Sequence, residues 1–190
     1  SLLVALLDLF GAEDEDYVTR HLSALAEACT SRALRFCLVD LHRRGQLQLP
    51  DPDRPELGCG LFVLGMGKLG GRELNYSSDI DLILIFDPDV PAIVDPPECV
   101  EMFSRLARRL VKMIGERTGQ GYVFRTDLRL RPDPSAMPLA IPLPTALIYY
   151  ESAGRDWERA AMIKARCIAG DTAAADEFLT AMTPFVYRRY

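Results

Sequence analysis

Two short apolar runs constrain this chain more than any other feature. Residues 61–66 form one, bounded on both sides by glycine, and residues 80–86, rich in isoleucine and leucine, form the other. Each has strand length, and an unbroken apolar run of that length reads as a buried strand. A glycine-containing turn at 67–71 and a short polar stretch at 73–78 join them.

Helical periodicity surrounds this pair. Leu22, Leu25, Ala26, Cys29, Ala33, Phe36, Cys37 and Val39 recur at spacings of three and four, which predicts a helix over 17–44 ending at Gly45. Residues 98–117 carry a strong apolar stripe of Val100, Phe103, Leu106, Ala107, Leu110, Val111 and Ile114. Alternation over 122–131 predicts a third strand. Residues 132–144 hold five prolines and read as irregular, as do 51–60 and 87–97. Helices are expected over 144–151, 157–167 and 172–182. This order implies an α+β or α/β fold built on a small mixed sheet flanked by helices, and α+β is the class expected.

Chemistry gathers where the second and third strands begin and end. Asp79 and Asp81 stand at i and i+2, so their side chains share one face of the strand while Ile80, Leu82 and Leu84 take the other. Two adjacent carboxylates repel unless a cation lies between them, and Mg²⁺ favours such a pair with phosphate oxygens completing its shell. By the same alternation Asp127, Arg129 and Arg131 share a face. If the two strands are neighbours, three carboxylates could hold two metals for an in-line phosphoryl displacement, with the arginines on phosphate oxygens. Gly70 and Gly71 would let backbone N–H groups approach a phosphate. Each signal alone also fits a plain feature: a solvated strand end, an ordinary turn, an edge strand with surface charge. Residues 65–70 match GxGxxG, but no acidic ribose-binding residue follows at the expected place, and GxxxxGK[ST] is absent.

Other groups read as structural. His21 and His42 are far apart on one predicted helix. Trp157 reads as a helix anchor, and Glu158, Lys164 and Arg166 as helix-face ion pairs. Five cysteines without a CxxC pair disfavour disulfides and zinc and predict reduced, cytoplasmic thiols. The net charge of −5 argues against a general nucleic-acid binder. No run reaches the ~18–20 apolar residues that span a bilayer, and the apolar residues 2–7 read as a core helix, not a signal peptide. The start at Ser1 and the end within Phe185-Val186-Tyr187-Arg188-Arg189-Tyr190 suggest a piece of a longer protein. The expected division is an upstream helical remnant at 1–16, a catalytic domain at 17–171, and the start of a downstream helical region at 172–190.

Three motifs in order then resemble one family. The string Gly65-Met66-Gly67-Lys68-Leu69-Gly70-Gly71-Arg72-Glu73-Leu74-Asn75-Tyr76-Ser77-Ser78-Asp79-Ile80-Asp81-Leu82 resembles the signature of glutamine synthetase adenylyltransferase/adenylyl-removing enzymes. Asp127-Leu128-Arg129-Leu130-Arg131-Pro132 resembles the second motif. Arg155-Asp156-Trp157-Glu158-Arg159 with Ile163-Lys164-Ala165-Arg166 and Ala169-Gly170-Asp171 resembles the third.

The resemblance implies a DNA polymerase β-like nucleotidyltransferase fold. It implies Asp79, Asp81 and Asp127 as ligands of Mg²⁺ or Mn²⁺, and Gly70, Gly71, Ser78, Arg129 and Arg131 as the phosphate and nucleotide contacts. It further implies glutamine synthetase and the PII signalling protein as partners, and phosphate with ADP or ATP as small-molecule reactants. The 74–78 and 154–159 strings look like the copy that removes AMP by phosphorolysis. Transfer of AMP from ATP, by the other copy of the domain, is the alternative, and a non-catalytic docking module is a third reading. One departure stands out: Pro134 and Met137 occupy places where the family has glycine, so the loop at 133–139 is expected to take a different path.

Overall fold

The computed structural model describes residues 14–119 and 121–187. The core helix expected over residues 2–7, and the upstream segment as far as residue 13, lie outside the described residues.

Helix α1 spans Glu15–Arg43. Its N-cap Asp14 accepts a hydrogen bond from the Tyr17 amide at 2.8 Å, satisfying one of the donors left open at a helix start. Strand β1, Leu61–Gly65, is followed by a single helical turn α2, Gly67–Gly70, and strand β2, Ile80–Phe86. Helix α3 spans Cys99–Gly115, preceded by a 3₁₀ turn at Pro96–Glu98. Then come β3 (Thr126–Asp127), β4 (Ala140–Pro142), α4 (Leu143–Ser152), α5 (Asp156–Met162), β5 (Arg166–Gly170) and α6 (Thr172–Val186). Among the described residues no helix is long and apolar enough to cross a membrane.

The sheet is mixed, as expected. β1 lies between β2 and β5 and is antiparallel to both, with Val63 opposite Leu84 and opposite Ala169. The other edge of β2 is shared: β3 pairs in parallel with its first residues, and β4 in parallel with its last three. Both faces are covered, which is why the strands are apolar throughout rather than alternating. Leu61, Val63, Leu82, Leu84 and Phe86 pack with residues of α1 and α3. Phe62, Leu64, Ile83 and Ile85 pack with residues of α4, α5 and α6. Phe86 meets Phe103 at 4.7 Å between ring centroids on one side, and Phe62 meets Phe178 at 5.8 Å on the other.

Asp81 has the parity of Ile83 and Ile85, so the aspartate side of β2 is also core from Ile83 onward. The carboxylates occupy only the uncovered end of that face. Ala175, Phe178 and Met182 place α6, expected at the start of a downstream region, in this second core.

Several segments differ from the sequence expectation. The strand read over 122–131 shortens to Thr126–Asp127. The Arg129 amide donates to Asp127 Oδ1 at 2.7 Å, and this local side-chain bond turns the chain out of the ladder. Arg129 and Arg131 therefore do not share a strand face with Asp127. The helix read over 157–167 stops at Met162, and the chain from Arg166 becomes the edge strand that β1 needs. Lys164 and Arg166 accordingly do not form helix-face pairs: Lys164 meets Glu73 at 2.6 Å and Arg166 meets Glu27 at 2.5 Å, both distant in sequence. A strand, β4, also arises inside the proline-rich stretch read as irregular.

Candidate active site

The site is assembled from four chain segments at the N-terminal end of β2. The Met66 amide donates to the Asp81 carbonyl at 2.9 Å and the Ile80 amide to the Arg125 carbonyl at 2.8 Å. These bonds hold the glycine turn and the start of β3 against the acidic end of β2. In the β2/β3 register Asp81 is opposite Asp127. Gly67 has φ of +53°, a left-handed value that favours glycine, and a Cβ there would lie 3.3 Å from Asp81 Oδ2. The turn and the second aspartate are therefore direct neighbours.

The three carboxylates have different surroundings. Arg125 donates through Nε to Asp79 at 2.5 Å and through Nη2 to the Ser77 carbonyl at 2.7 Å. Arg129 donates to both oxygens of Asp127, at 2.8 Å and 2.5 Å to Oδ2 from Nε and Nη2. This bond holds the Asp127 carboxyl below its ordinary range. No lysine or arginine among the described residues pairs with Asp81. Burial first, and then the Asp127 and Asp79 charges, push its carboxyl upward.

An all-oxygen donor set of this kind fits a hard divalent cation. Asp81 is raised first by burial and then by the neighbouring Asp127 and Asp79 charges, and a bound cation would offset the second of these. Among the described residues, however, no three acidic, histidine or cysteine side chains already converge as a metal cage. Asp79 and Asp127 turn to their arginines instead, so binding a metal through all three requires those two pairs to open.

The other expected contacts are placed as follows. Ser78 Oγ donates to Asn75 Oδ1 at 2.6 Å, within the loop that leads into Asp79. Gly70 is buried, and a Cβ on it would fall 2.0 Å from the Lys164 carbonyl oxygen and 2.6 Å from that of Gly65. Its lack of a side chain is required by the close approach of the turn to the chain entering β5. Gly71 follows at the C-cap of the turn. Arg166 also donates to the Leu69 and Gly70 carbonyls at 3.2 Å while it pairs with Glu27, so it ties α1 to the glycine turn. Arg131 donates to the Leu128 carbonyl and the Pro134 carbonyl, each at 2.8 Å, and clamps the loop that leaves β3.

Arg125 escaped the sequence reading. It stands at i−2 from Asp127, the same spacing that drew notice to the two aspartates, but its reach to Asp79 depends on strand pairing. Trp157 is no helix anchor: it is 46% exposed. Its neighbour Glu158 is 2% exposed and accepts from the Tyr149 hydroxyl at 3.0 Å and the Arg155 amide at 2.8 Å.

Two cavities flank the site. One, of about 440 Å³, lies between the 133–135 turn and the α4–α5 corner. The other, of about 240 Å³, includes Ser78, Arg125, Tyr76 and Tyr122.

Comparison with known proteins gives one consistent answer. Residues 1–181 match the family model described as glutamate-ammonia ligase adenylyltransferase. The chain is similar to proteins named bifunctional glutamine synthetase adenylyltransferase/adenylyl-removing enzyme. The one from Mesorhizobium japonicum is 57% identical over 188 residues, 99% of this chain and 19% of the relative. The one from Brucella suis is 57% identical over 189 residues, 100% of this chain and 19% of the relative. The one from Agrobacterium fabrum is 53% identical over 193 residues, with coverage of 100% and 19%. The chain thus spans about a fifth of the length of these curated relatives. On this match the chain belongs to the glutamate-ammonia ligase adenylyltransferase family.

Proposed function

We propose that this chain is a catalytic nucleotidyltransferase unit of DNA polymerase β-like fold that removes AMP from an adenylylated tyrosine of glutamine synthetase by phosphorolysis, giving ADP. The observation that carries this reading is the register of β2 with β3, which sets Asp81 opposite Asp127, with Asp79 two residues before Asp81. Arginines and a glycine turn adjoin the same end of the sheet.

The chain's residues have distinct roles. Asp79, Asp81 and Asp127 would hold Mg²⁺ or Mn²⁺, which when bound would supply neutralisation of charge on the phosphoryl oxygens. Arg125 and Arg129, released from their aspartates, turn their donors to phosphate oxygens. The Ser78 hydroxyl lies beside the phosphate path, whereas the Gly70 and Gly71 amides are spent on the Met66 and Gly67 carbonyls at 3.0 Å each, so the glycine turn shapes the path without donating from these two amides. Arg131 keeps the 128–134 loop in place.

Inorganic phosphate attacks the phosphorus of the tyrosyl-AMP diester. A new P–O–P bond forms, the P–O bond to tyrosine breaks, and the proton of hydrogen phosphate passes to the departing tyrosine oxygen. The products are ADP and tyrosine, and no strong general base is needed because the nucleophile is already an oxyanion. This unit works in the cytoplasm, under the control of the PII signalling protein acting through the parent protein.

The relatives' names carry both activities, so transfer of AMP from ATP to the tyrosine is the second reading. One experiment separates them. The chain is incubated with adenylylated glutamine synthetase, Mg²⁺ and phosphate, and in parallel with unmodified synthetase, Mg²⁺ and ATP. ADP in the first mixture supports removal. Pyrophosphate in the second alone replaces removal with addition, and silence in both, beside an active parent protein, overturns catalysis by this chain.

A further inference from the structure

We propose that the cavity between the 133–135 turn and the α4–α5 corner receives the purine nucleoside of the adenylyl group. The proposal rests on the reading above, because it assigns a seat to a group which that reading brings to the carboxylates.

Size and lining both favour a nucleoside. About 440 Å³ is within the ~300–1,000 Å³ typical of small-molecule sites. Trp157 and Tyr149 contribute aromatic surface, and Arg155, Asp133 and Ser135 supply donors and acceptors around it. Aromatic faces with a few polar groups at the rim are what a base needs for stacking and edge recognition.

The corner is built to display the tryptophan. Glu158 is buried and held from two sides, by the Tyr149 hydroxyl and by the Arg155 amide. Those bonds fix the start of α5 on α4, and the residue before Glu158, Trp157, is left 46% exposed at the cavity. A large apolar ring kept on the surface of a rigid corner is a ready stacking platform.

The opposite wall is equally fixed. Asp133 has φ of +30°, which a non-glycine residue rarely adopts. Its carbonyl accepts from the Ala136 and Met137 amides at 3.1 Å and 2.8 Å, and its carboxylate from Ser135 Oγ at 2.5 Å. Strain held by several bonds is a mark of a functional wall.

The wall is also coupled to the carboxylates. One guanidinium, that of Arg131, binds both the carbonyl of Leu128, next to Asp127, and the carbonyl of Pro134. A phosphoryl group at Asp127 therefore has this cavity a short step away along the same loop. The smaller cavity beside Asp79 is the poorer match. It is lined largely by Leu22, Leu25, Val123 and Phe124 besides its two tyrosines, and so offers few polar groups for a base edge.

Trp157 is the chain's one tryptophan, so fluorescence excited selectively at the indole reports on this cavity. The 190-residue chain is titrated with AMP, CMP and inorganic phosphate in the presence of Mg²⁺, and affinity is measured separately by equilibrium dialysis. AMP should change the Trp157 emission saturably, and CMP should bind several-fold more weakly. Phosphate should leave the emission unchanged.

Trp157→Leu should weaken AMP at least about five-fold, the low end of what a base–aromatic stack supplies. Ala153→Phe, which adds a ring to the cavity wall from an exposed position, should do the same. Both variants should keep the wild-type melting temperature and circular dichroism.

If AMP binds but neither the emission nor the two variants respond, the nucleoside sits elsewhere. The pocket assignment then falls while the proposed reaction stands. Loss of AMP binding on Tyr122→Leu instead would place the nucleoside beside Asp79, with the same consequence. If AMP does not bind yet ADP is still formed from adenylylated synthetase, the pocket again falls alone. If neither binding nor ADP formation is seen, both readings are overturned.

Discussion

Asp81 and Asp127 are register partners in a parallel ladder only two residues long, so two carboxylates from distant parts of the chain share one edge of the sheet. In an ordinary sheet such a like-charge pair is a liability. Here the strain is divided. Arg129 neutralises Asp127, and Asp81 is left with a carboxyl pushed upward by burial and by its two acidic neighbours.

Replacing the central carboxylate should separate stability from function. Asp81→Asn removes like-charge repulsion, so the melting temperature should hold or rise. Loss of a metal-holding oxygen should lower the rate of ADP formation by more than about 100-fold, beyond the 10–100-fold typical of outer-sphere changes. Calorimetry and an ADP assay on the same preparation check both halves. Undiminished turnover would remove Asp81 from the metal site.

Arg125→Met tests whether the Asp79 pair holds the site closed. The partners' side chains are 57% and 43% exposed, so the pair itself contributes only about 0.2–1 kcal/mol. Releasing Asp79 should therefore tighten Mn²⁺, followed by electron paramagnetic resonance, by no more than about five-fold. If phosphate oxygens take over the guanidinium during turnover, the same variant should lose activity. Weaker Mn²⁺ binding would instead make Arg125 a residue that positions the carboxylate.

Gly70→Ala should be costly because the new methyl meets backbone, not a flexible side chain. The nearest atoms are the Lys164 and Gly65 carbonyl oxygens at 2.0 Å and 2.6 Å. Overpacking of this kind costs typically about 1–3 kcal/mol. A drop of several degrees in melting temperature is expected, with the start of β5 displaced from the turn. Gly119→Ala, where nothing lies within 4 Å of the added carbon, is the control.

Acid should weaken the contact between α1 and α3 through Asp40. Arg109 hydrogen-bonds this carboxylate and Arg44 adds to it, holding its pKa below the ordinary 3.8. The unfolded chain takes up this proton first as pH falls. The stabilisation is therefore present above about pH 3.8 and is lost as pH drops through the lowered folded value. Asp40→Asn should flatten this part of the acid limb in a denaturation series, and an unchanged limb would remove the pair from the account.

The elements legible in the sequence share one property: their own residues carry enough periodicity or burial to settle their state. That was true of α1, α3, β1 and β2, and of the acidic start of β2. It failed for the extent of β3 and for β4 and β5. The alternation over 122–131 overreaches because only Thr126–Asp127 meets β2, and Ala140–Pro142 is too short to show alternation and is a strand because β2 has an open edge beside it. Arg166 and Cys167 close the segment that reads as a helix over 157–167, yet the backbone of Arg166–Gly170 pairs with β1. Strand state in such segments is decided by the partner, and context overrides local preference.

By itself, then, the sequence determined the composition of the site: three aspartates, a glycine turn, and arginines in motifs specific enough to point to a family. Tertiary structure alone decided their use. It set Asp127 beside Asp81, turned Arg129 back onto its own aspartate, spent Arg131 on two carbonyls, brought Arg125 to Asp79, and exposed Trp157 over a buried Glu158. The physical reason is the same in each case. Residue type and spacing are properties of the covalent chain, whereas the direction a charged side chain takes is set by whichever opposite charge or open carbonyl the fold brings within about 3 Å.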